Sequence, residues 1–102
     1  MKLQMHSIHF DADQKLLDYI QKKAEKLNTF YDKITGGEVF LRINKDSVAH
    51  ENKVLEIKIA LPGHTLFAKE TSSSFEAAAD EAVEALKIQI KKFKDKTAAN
   101  NK

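Results

Sequence analysis

The chain has 102 residues, of which 42% are hydrophobic and 31% are charged, so it suits one globular domain and leaves no room for a second. The absence of cysteine excludes disulfides and thiolate chemistry. No apolar run reaches the roughly 18 residues of a membrane helix, and the first residues lack the apolar stretch of a signal peptide. We therefore expect a cytoplasmic protein with no membrane partner.

Charge is segregated along the last third of the chain, although the formal net charge is only +2. Residues 70–85 contain five acidic residues and no lysine or arginine. Residues 87–102 contain six lysines against Asp95 alone. Such segregation creates a basic surface on a nearly neutral protein, so the net charge neither indicates nor excludes nucleic-acid binding.

The first predicted elements are a strand at residues 2–10 and an amphipathic helix. Asp11 is the expected helix cap, with Gln14 as its capping-box partner and Asp13 as the rival cap. The helix carries an apolar stripe at spacings of one, three and four residues: Leu16, Leu17, Ile20, Ala24, Leu27 and Tyr31. A turn is predicted at residues 35–37, which contain two adjacent glycines.

Three more strands are predicted in the middle of the chain. Residues 38–45 and 53–61 alternate apolar and polar side chains, as half-buried strands do, and the polar residues 46–52 form the loop between them. The Pro-Gly pair at residues 62–63 predicts a turn into a shorter strand at residues 64–70, so that the last two strands form a hairpin. The apolar residues of this last strand are Leu66 and Phe67.

A second helix is predicted from Ser73, its expected cap, through the capping-box residue Glu76 to about Asp95. Its predicted inner face consists of Phe75, Ala79, Ala82, Val83, Leu86, Ile90 and Phe93. We expect residues 1–96 to form the domain and the polar residues 97–102 to fray. The order β-α-β-β-β-α predicts an α+β fold, in which both helices pack on one face of a four-stranded, mainly antiparallel sheet.

Lysines form a row on the outer side of each predicted helix. The row of the first helix, with its neighbours, consists of Lys15, Lys22, Lys23, Lys26 and Lys33. That of the second helix consists of Lys87, Lys91, Lys92, Lys94 and Lys96. Rows of point charges bind phosphate backbones through counterion release. The same pattern is typical of the solvated face of an amphipathic helix, so charge alone leaves both interpretations open.

No constellation in the sequence predicts catalysis or a metal site. His6 and His9 point to opposite faces of a strand, and His50 and His64 lie in or beside loops. No HExxH or GxSxG motif is present. We therefore expect a non-enzymatic protein that uses no cofactor, metal or small-molecule substrate.

Two segments, AEKLNTFYDKI at residues 24–34 and AAAD at residues 77–80, resemble the family of ribosome hibernation-promoting factors, which includes ribosome-associated inhibitors and sigma-54 modulation proteins. Residues 24–34, AEKLNTFYDKI, resemble the end of the family's first helix, where Lys-Leu precedes an aromatic pair, Asp, a basic residue and Ile. Residues 77–80, AAAD, and the following Leu86, Gln89 and lysines are similar to its second helix. The resemblance spans residues 1–96 and is to the short form of the family, whose element order is similar to that of a double-stranded-RNA-binding domain.

This resemblance implies a protein that binds the small ribosomal subunit and its rRNA in the channel for messenger and transfer RNA. Occupancy would exclude messenger RNA and A- and P-site transfer RNA and store the ribosome idle. The resemblance implies rRNA contacts from Lys23, Lys26, Lys92, Lys94 and Lys96. The charge pattern adds Lys22, Lys33, Arg42, Lys87 and Lys91 as candidates.

Three positions depart from the family pattern: Ile88 replaces the usual arginine, Ala85 a frequent lysine and Glu76 a frequent tyrosine. Each departure removes a possible rRNA contact. Two other functions stay open. A general double-stranded-RNA-binding module would bind free duplexes, whereas a protein-interaction modulator of a transcription factor would use the acidic patch or Ile88 and keep its affinity in salt.

Overall fold

The computed structural model describes residues 1–45 and 50–100, and in this part of the chain four strands and two helices follow the predicted order. They are β1 (Leu3–Ser7), α1 (Gln14–Glu25), β2 (Gly36–Ile43), β3 (Lys53–Leu61), β4 (His64–Ser72) and α2 (Phe75–Asn100). A 3₁₀ turn, Lys26–Thr29, continues α1. Helix α2 extends beyond its predicted end at Asp95.

The strands form one sheet in the order β1-β2-β3-β4, with β1 parallel to β2 and the other neighbours antiparallel. This confirms the predicted α+β fold. The predicted hairpin is also confirmed, because Leu61 pairs with His64 across Gly63, whose φ of 70° suits a tight turn. Of the loop predicted at residues 46–52, residues 46–49 lie outside the described residues.

The core lies between one face of the sheet and the two helices. Alternation along β2 and β3 turns every second side chain toward this side, and Val39, Leu41 and Ile57 are fully buried there. The helices contribute the buried side chains of Ile20, Ala24, Leu27, Ala78, Ala79, Ala82, Leu86 and Ile90. The opposite face of the sheet has no helix against it among the described elements and carries most of the charged strand residues.

One helix cap is the rival candidate named from the sequence, and the other lies one residue after the predicted cap. Asp13, the rival candidate, caps α1 by accepting a hydrogen bond from the Lys15 backbone N–H at 3.2 Å, so the Asp11 prediction is wrong. At α2 the Ala77 backbone N–H donates to Ser74 Oγ at 3.1 Å, so Ser74 replaces Ser73. Where several capping residues lie within a few positions, the sequence alone does not fix which of them caps the helix.

The predicted turn at residues 35–37 is wrong, because Gly36 and Gly37 are the first residues of β2. Gly37 pairs with Leu3 on one side and with Ile59 on the other. A Cβ atom at Gly37 would collide with the backbone oxygen of Lys58 and lie 2.9 Å from Leu3 Cδ2. The glycine is therefore required for close strand approach rather than for a turn.

Strand β4 was predicted to be short and built on Leu66 and Phe67, but it has nine residues and splits the pair. Leu66 and Ala68 are buried toward the helices, whereas Phe67 is 46% exposed on the other face. Adjacent residues of a strand point to opposite faces, so one of the two must leave the core.

In the described part of the chain, no helix has the length and apolarity needed to cross a membrane.

Candidate nucleic-acid interface

Helix α1 and its 3₁₀ extension place two lysines beside α2. Lys23 and Lys26 follow Tyr19 at four and seven residues, so the three side chains share one flank of the helix. The Tyr19 hydroxyl donates to Asp80 Oδ1 of α2 at 2.8 Å, which shows that this flank faces α2. Lys22 is exposed and lies further toward solvent on α1.

Helix α2 faces this flank with three lysines of its own. Lys87, Lys91 and Lys94 repeat at four and three residues and are all exposed. Lys94 Nζ donates to the backbone oxygen of Phe30 at 2.7 Å, which ties the carboxyl-terminal half of α2 to the end of the 3₁₀ turn. Lys87 Nζ lies 4.9 Å from the centre of the Phe30 ring, a cation–π contact.

The two helices enclose a basic groove, which we call the interhelical groove. Its first section, of about 420 Å³, is lined by Lys23, Lys26, Phe30, Glu84 and Lys87 among others. Its second section, of about 530 Å³, is lined by Phe30, Glu84, Lys87, Ile88, Ile90, Lys91, Lys94 and Asp95. The two sections share Phe30, Glu84 and Lys87 and are therefore adjacent. Five predicted rRNA-binding lysines thus line these two adjacent sections.

The other predicted site residues lie elsewhere. Gln89 Nε2 donates to the Phe67 backbone oxygen of β4 at 2.8 Å, and Lys92 and Lys96 follow Gln89 at three and seven residues. They therefore lie on the β4 flank of α2, away from the interhelical groove. Lys33 is exposed beyond the 3₁₀ turn. Arg42 lies on the sheet face opposite the helices.

Arg42 pairs there with the Glu56 carboxylate of the neighbouring strand. Phe40, on the same face, stacks on His6 of β1 with ring centres 4.8 Å apart. The structure therefore separates Arg42 from the lysines of the helices, with the whole sheet between them. The sequence showed the alternation that places Arg42 outward, but it did not show which strand supplies its partner.

Asp80 joins the two walls of the groove. Besides accepting from Tyr19, it lies 3.4 Å from Lys23 Nζ. The hydrogen bond to Asp80, with burial and the negative charges of Asp80 and Glu76, raises the pKa of the Tyr19 hydroxyl above its ordinary value. The ion pair with Asp80 partly neutralises the charge of Lys23 and holds its ammonium beside α2.

Phe30 is the functional candidate that the sequence did not single out. It is the sequence neighbour of Tyr31, and the two aromatic side chains point in different directions. Tyr31 packs edge-on against Phe93 of α2 at 5.7 Å, whereas Phe30 keeps 40% of its surface exposed in the groove. The pair itself was visible in the sequence, but which ring points outward depends on the end of the 3₁₀ turn.

No group of three or more histidine and acidic side chains in the described residues is arranged to hold a metal ion. The concave, lysine-lined surface suits a polyanion with apolar parts. The fold and this surface together define a small basic α+β domain with two helices on one face of a mixed sheet.

The family model described as Sigma 54 modulation protein / S30EA ribosomal protein matches residues 3–98. The chain therefore belongs to this family, and the family resemblance of the sequence is confirmed. The ribosome hibernation promoting factor of Pseudomonas putida is 29% identical over 96 residues, which cover 94% of this chain and 89% of that protein. The ribosome hibernation promotion factor of Deinococcus radiodurans is 25% identical over 91 residues, which cover 89% of this chain and 48% of that protein.

Solved structures agree with this family. A ribosomal subunit interface protein from Coxiella burnetii superposes with a TM-score of 0.82 at 25% identity, covering 93% of this chain and 99% of its own. The amino-terminal domain of Protein Y from Thermus thermophilus gives a TM-score of 0.72 at 28% identity, covering 90% of this chain and 94% of its own.

Proposed function

We propose that this chain promotes ribosome hibernation by binding the small ribosomal subunit in the channel that messenger and transfer RNA use. Its presence there excludes messenger RNA and A- and P-site transfer RNA. The observation that carries this proposal is the convergence of five lysines, from both helices, on the interhelical groove. Membership in the S30EA family, with relatives named as hibernation factors, supports the ribosome as the partner.

The proposed mechanism is steric competition with electrostatic affinity. Lysines that neutralise phosphates release counterions, so binding weakens steeply as salt rises. Within the described residues, the side-chain ammonium groups of Lys26 and Lys91 make no hydrogen bond or ion pair, so among the five groove lysines these two are the most available to bind phosphate. Lys23, next to Asp80, and Lys94, tied to Phe30, already have partners and hold the walls in place.

The other predicted site residues differ in their position relative to the interhelical groove. We propose that Lys22 and Lys33 contact RNA beside the first wall, and that Lys92 and Lys96 contact a separate stretch of RNA from the other flank of α2. Arg42 is paired with Glu56 on the opposite face of the sheet, so the interface that we propose does not include it.

Co-sedimentation with isolated small subunits over a salt series tests the proposal. We expect wild-type protein to bind at low salt, to dissociate as salt rises, and to be displaced by excess messenger and transfer RNA. If excess messenger and transfer RNA do not displace the protein, it binds outside the channel. A failure to bind subunits at low salt would refute the proposed function, and free duplex RNA would then be tested as the ligand.

Replacing Ile88 with arginine is expected to tighten binding to the small subunit. Ile88 is 52% exposed at the edge of the groove, and a guanidinium there adds one charge-assisted contact to phosphate. A gain of about 1 kcal/mol corresponds to roughly 5-fold in Kd, and the salt dependence should steepen by about one phosphate contact. The measurement is the subunit Kd at several salt concentrations.

The matched control for this variant is Ile8→Arg, which adds the same charge at another exposed isoleucine. Ile8 is 37% exposed and lines a different cavity, together with Arg42 and Lys69 of the sheet. Equal tightening by both variants would attribute the gain to net charge rather than to the interhelical groove. Unchanged affinity for Ile88→Arg would show that this position lies outside the interface.

A further inference from the structure

Phe30 lies in the interhelical groove with its backbone fixed and its ring exposed. Its N–H donates to the Leu27 oxygen at 3.0 Å, and its own oxygen accepts from Lys94 Nζ at 2.7 Å. The ring nevertheless keeps 40% of its surface exposed, although Tyr31 next to it packs against Phe93. A rigidly held, outward-facing aromatic ring between two helices is therefore presented to a ligand rather than to the core.

The surroundings of the ring combine an apolar wall with charges of both signs. Ile88, 52% exposed, lines the same section of the groove as Phe30. Lys91 and Lys94 line it from α2, and Lys26 lines the neighbouring section. The carboxylates of Glu84 and Asp95 also line the section that holds Ile88, so this section offers hydrogen-bond acceptors as well as cations.

We propose that the part of the groove between Phe30 and Ile88 binds one unpaired nucleobase of RNA, stacked on the phenyl ring. The phosphates on either side of this nucleotide are then held by the lysines that line the two sections of the groove. This inference rests on the proposed function, because rRNA supplies the base. It adds a π-stacking subsite to an interface otherwise built on charge, so that unstacked bases are bound in preference to paired ones.

A nucleobase fits these observations better than a phosphate or a peptide does. A base has an apolar face for the phenyl ring and amino groups that donate to carboxylates such as Glu84 and Asp95. A phosphate alone has no apolar face to place on the ring and no amino group to donate to those carboxylates. The five flanking lysines favour a ligand with regularly spaced negative charge, which a nucleic acid supplies on both sides of each base.

Lys87 does not prevent stacking, although its ammonium lies over the ring. Its aliphatic stem is flexible, and the ammonium is exposed and only 4.0 Å from the Glu84 carboxylate. When a base takes the ring face, the ammonium can turn to a phosphate of the same nucleotide. The cation–π contact therefore holds the free ring in place without closing the subsite.

The test compares Phe30→Leu with Phe30→Tyr in the full chain, using isolated small ribosomal subunits as the ligand. Leucine keeps the apolar bulk and removes the π-face, whereas tyrosine keeps the ring. We expect Phe30→Leu to weaken binding roughly 10-fold, in the range for losing one stacked base, and Phe30→Tyr to stay within about 3-fold of wild type. The salt slope should be unchanged in both, because no charge is removed.

Chemical probing of rRNA base edges supplies the second readout. We expect the wild type to protect an unpaired nucleotide that Phe30→Leu leaves reactive and Phe30→Tyr protects again. Thermal unfolding of the free variants shows whether they are folded. Comparable binding and identical protection for Phe30→Leu and wild type would overturn the base subsite while leaving the proposed function intact.

Two further outcomes separate the alternatives. If Phe30→Leu weakens binding but leaves the protection of rRNA bases unchanged, the ring contacts a ribosomal protein instead, and the inference is overturned. Wild-type protein that does not bind subunits would refute the proposed function first, and the subsite with it.

Discussion

Neutralising one lysine on each wall of the interhelical groove, in the double variant Lys26→Gln and Lys91→Gln, is expected to weaken small-subunit binding roughly 100-fold. Two charge-assisted contacts at the low end of their range, about 1.5 kcal/mol each, together give about 3 kcal/mol. Both side chains are exposed, so the fold should lose less than about 0.5 kcal/mol. The Kd from co-sedimentation at fixed salt measures the effect.

The matched control is Lys58→Gln with Lys69→Gln, which removes the same charge from the opposite face of the sheet. Both control lysines are exposed, and β3 and β4 hold them away from the helices. We expect the control to change the Kd less than about 3-fold, through long-range electrostatics alone. Equal losses in the two double variants would mean that net charge, rather than the groove, determines affinity.

The salt dependence of the same variants distinguishes the ligand classes. Each lost phosphate contact lowers the slope of log K against log salt by about 0.7–0.9. The double variant Lys26→Gln and Lys91→Gln removes two contacts, so its slope should fall by about twice this amount. An affinity that survives salt in wild type would favour a protein partner. Equal binding to an isolated RNA duplex and to the subunit would favour a general duplex-binding module.

The bounds of β3 were predictable to the residue, whereas both ends of β1 and β2 and the end of β4 were not. β3 occupies the predicted residues 53–61 because every second side chain from Leu55 to Leu61 is large and apolar and a Pro-Gly turn ends the strand. The start of β2 was missed because Gly36 and Gly37 carry no side chain to show the alternation. The space that excludes a side chain at Gly37 is formed by β1 and β3, which are distant in sequence.

The two lysine rows of the site were visible in the helical spacing, but their assembly was not. Spacing places Lys87, Lys91 and Lys94 on one flank of α2, and Lys92 and Lys96 on another. Only the packing of α1, fixed by Tyr19 and Asp80, shows which flank forms a groove. Phe30 was missed for a related reason, since an aromatic pair at a helix end does not reveal which ring faces outward.

The close strand approach at Gly37 predicts the largest effect on stability from a small substitution. Gly37→Ala should lower the free energy of unfolding by about 2 kcal/mol, because the new methyl group overlaps the Lys58 oxygen and crowds Leu3 and Ile59. The strands β1 and β3 cannot move away from β2 at Gly37 without breaking their backbone pairing. For a domain of this size the melting temperature should fall by roughly 8–16 °C. Urea and thermal unfolding measure both quantities.

Gly36→Ala is the control, because it makes the same chemical change one residue earlier in β2. A Cβ atom at Gly36 would approach nothing closer than the Lys2 oxygen at 3.4 Å, which is ordinary van der Waals contact. Alanine also restricts the unfolded chain, so Gly36→Ala should be neutral or stabilising by up to about 1 kcal/mol. Equal destabilisation by the two variants would contradict the close approach and assign the cost to the loss of backbone freedom at the start of β2. A stable Gly37→Ala variant would instead show that β1 and β3 can move apart, and that the sheet carrying both helices is looser than the pairing of Gly37 with Leu3 and Ile59 indicates.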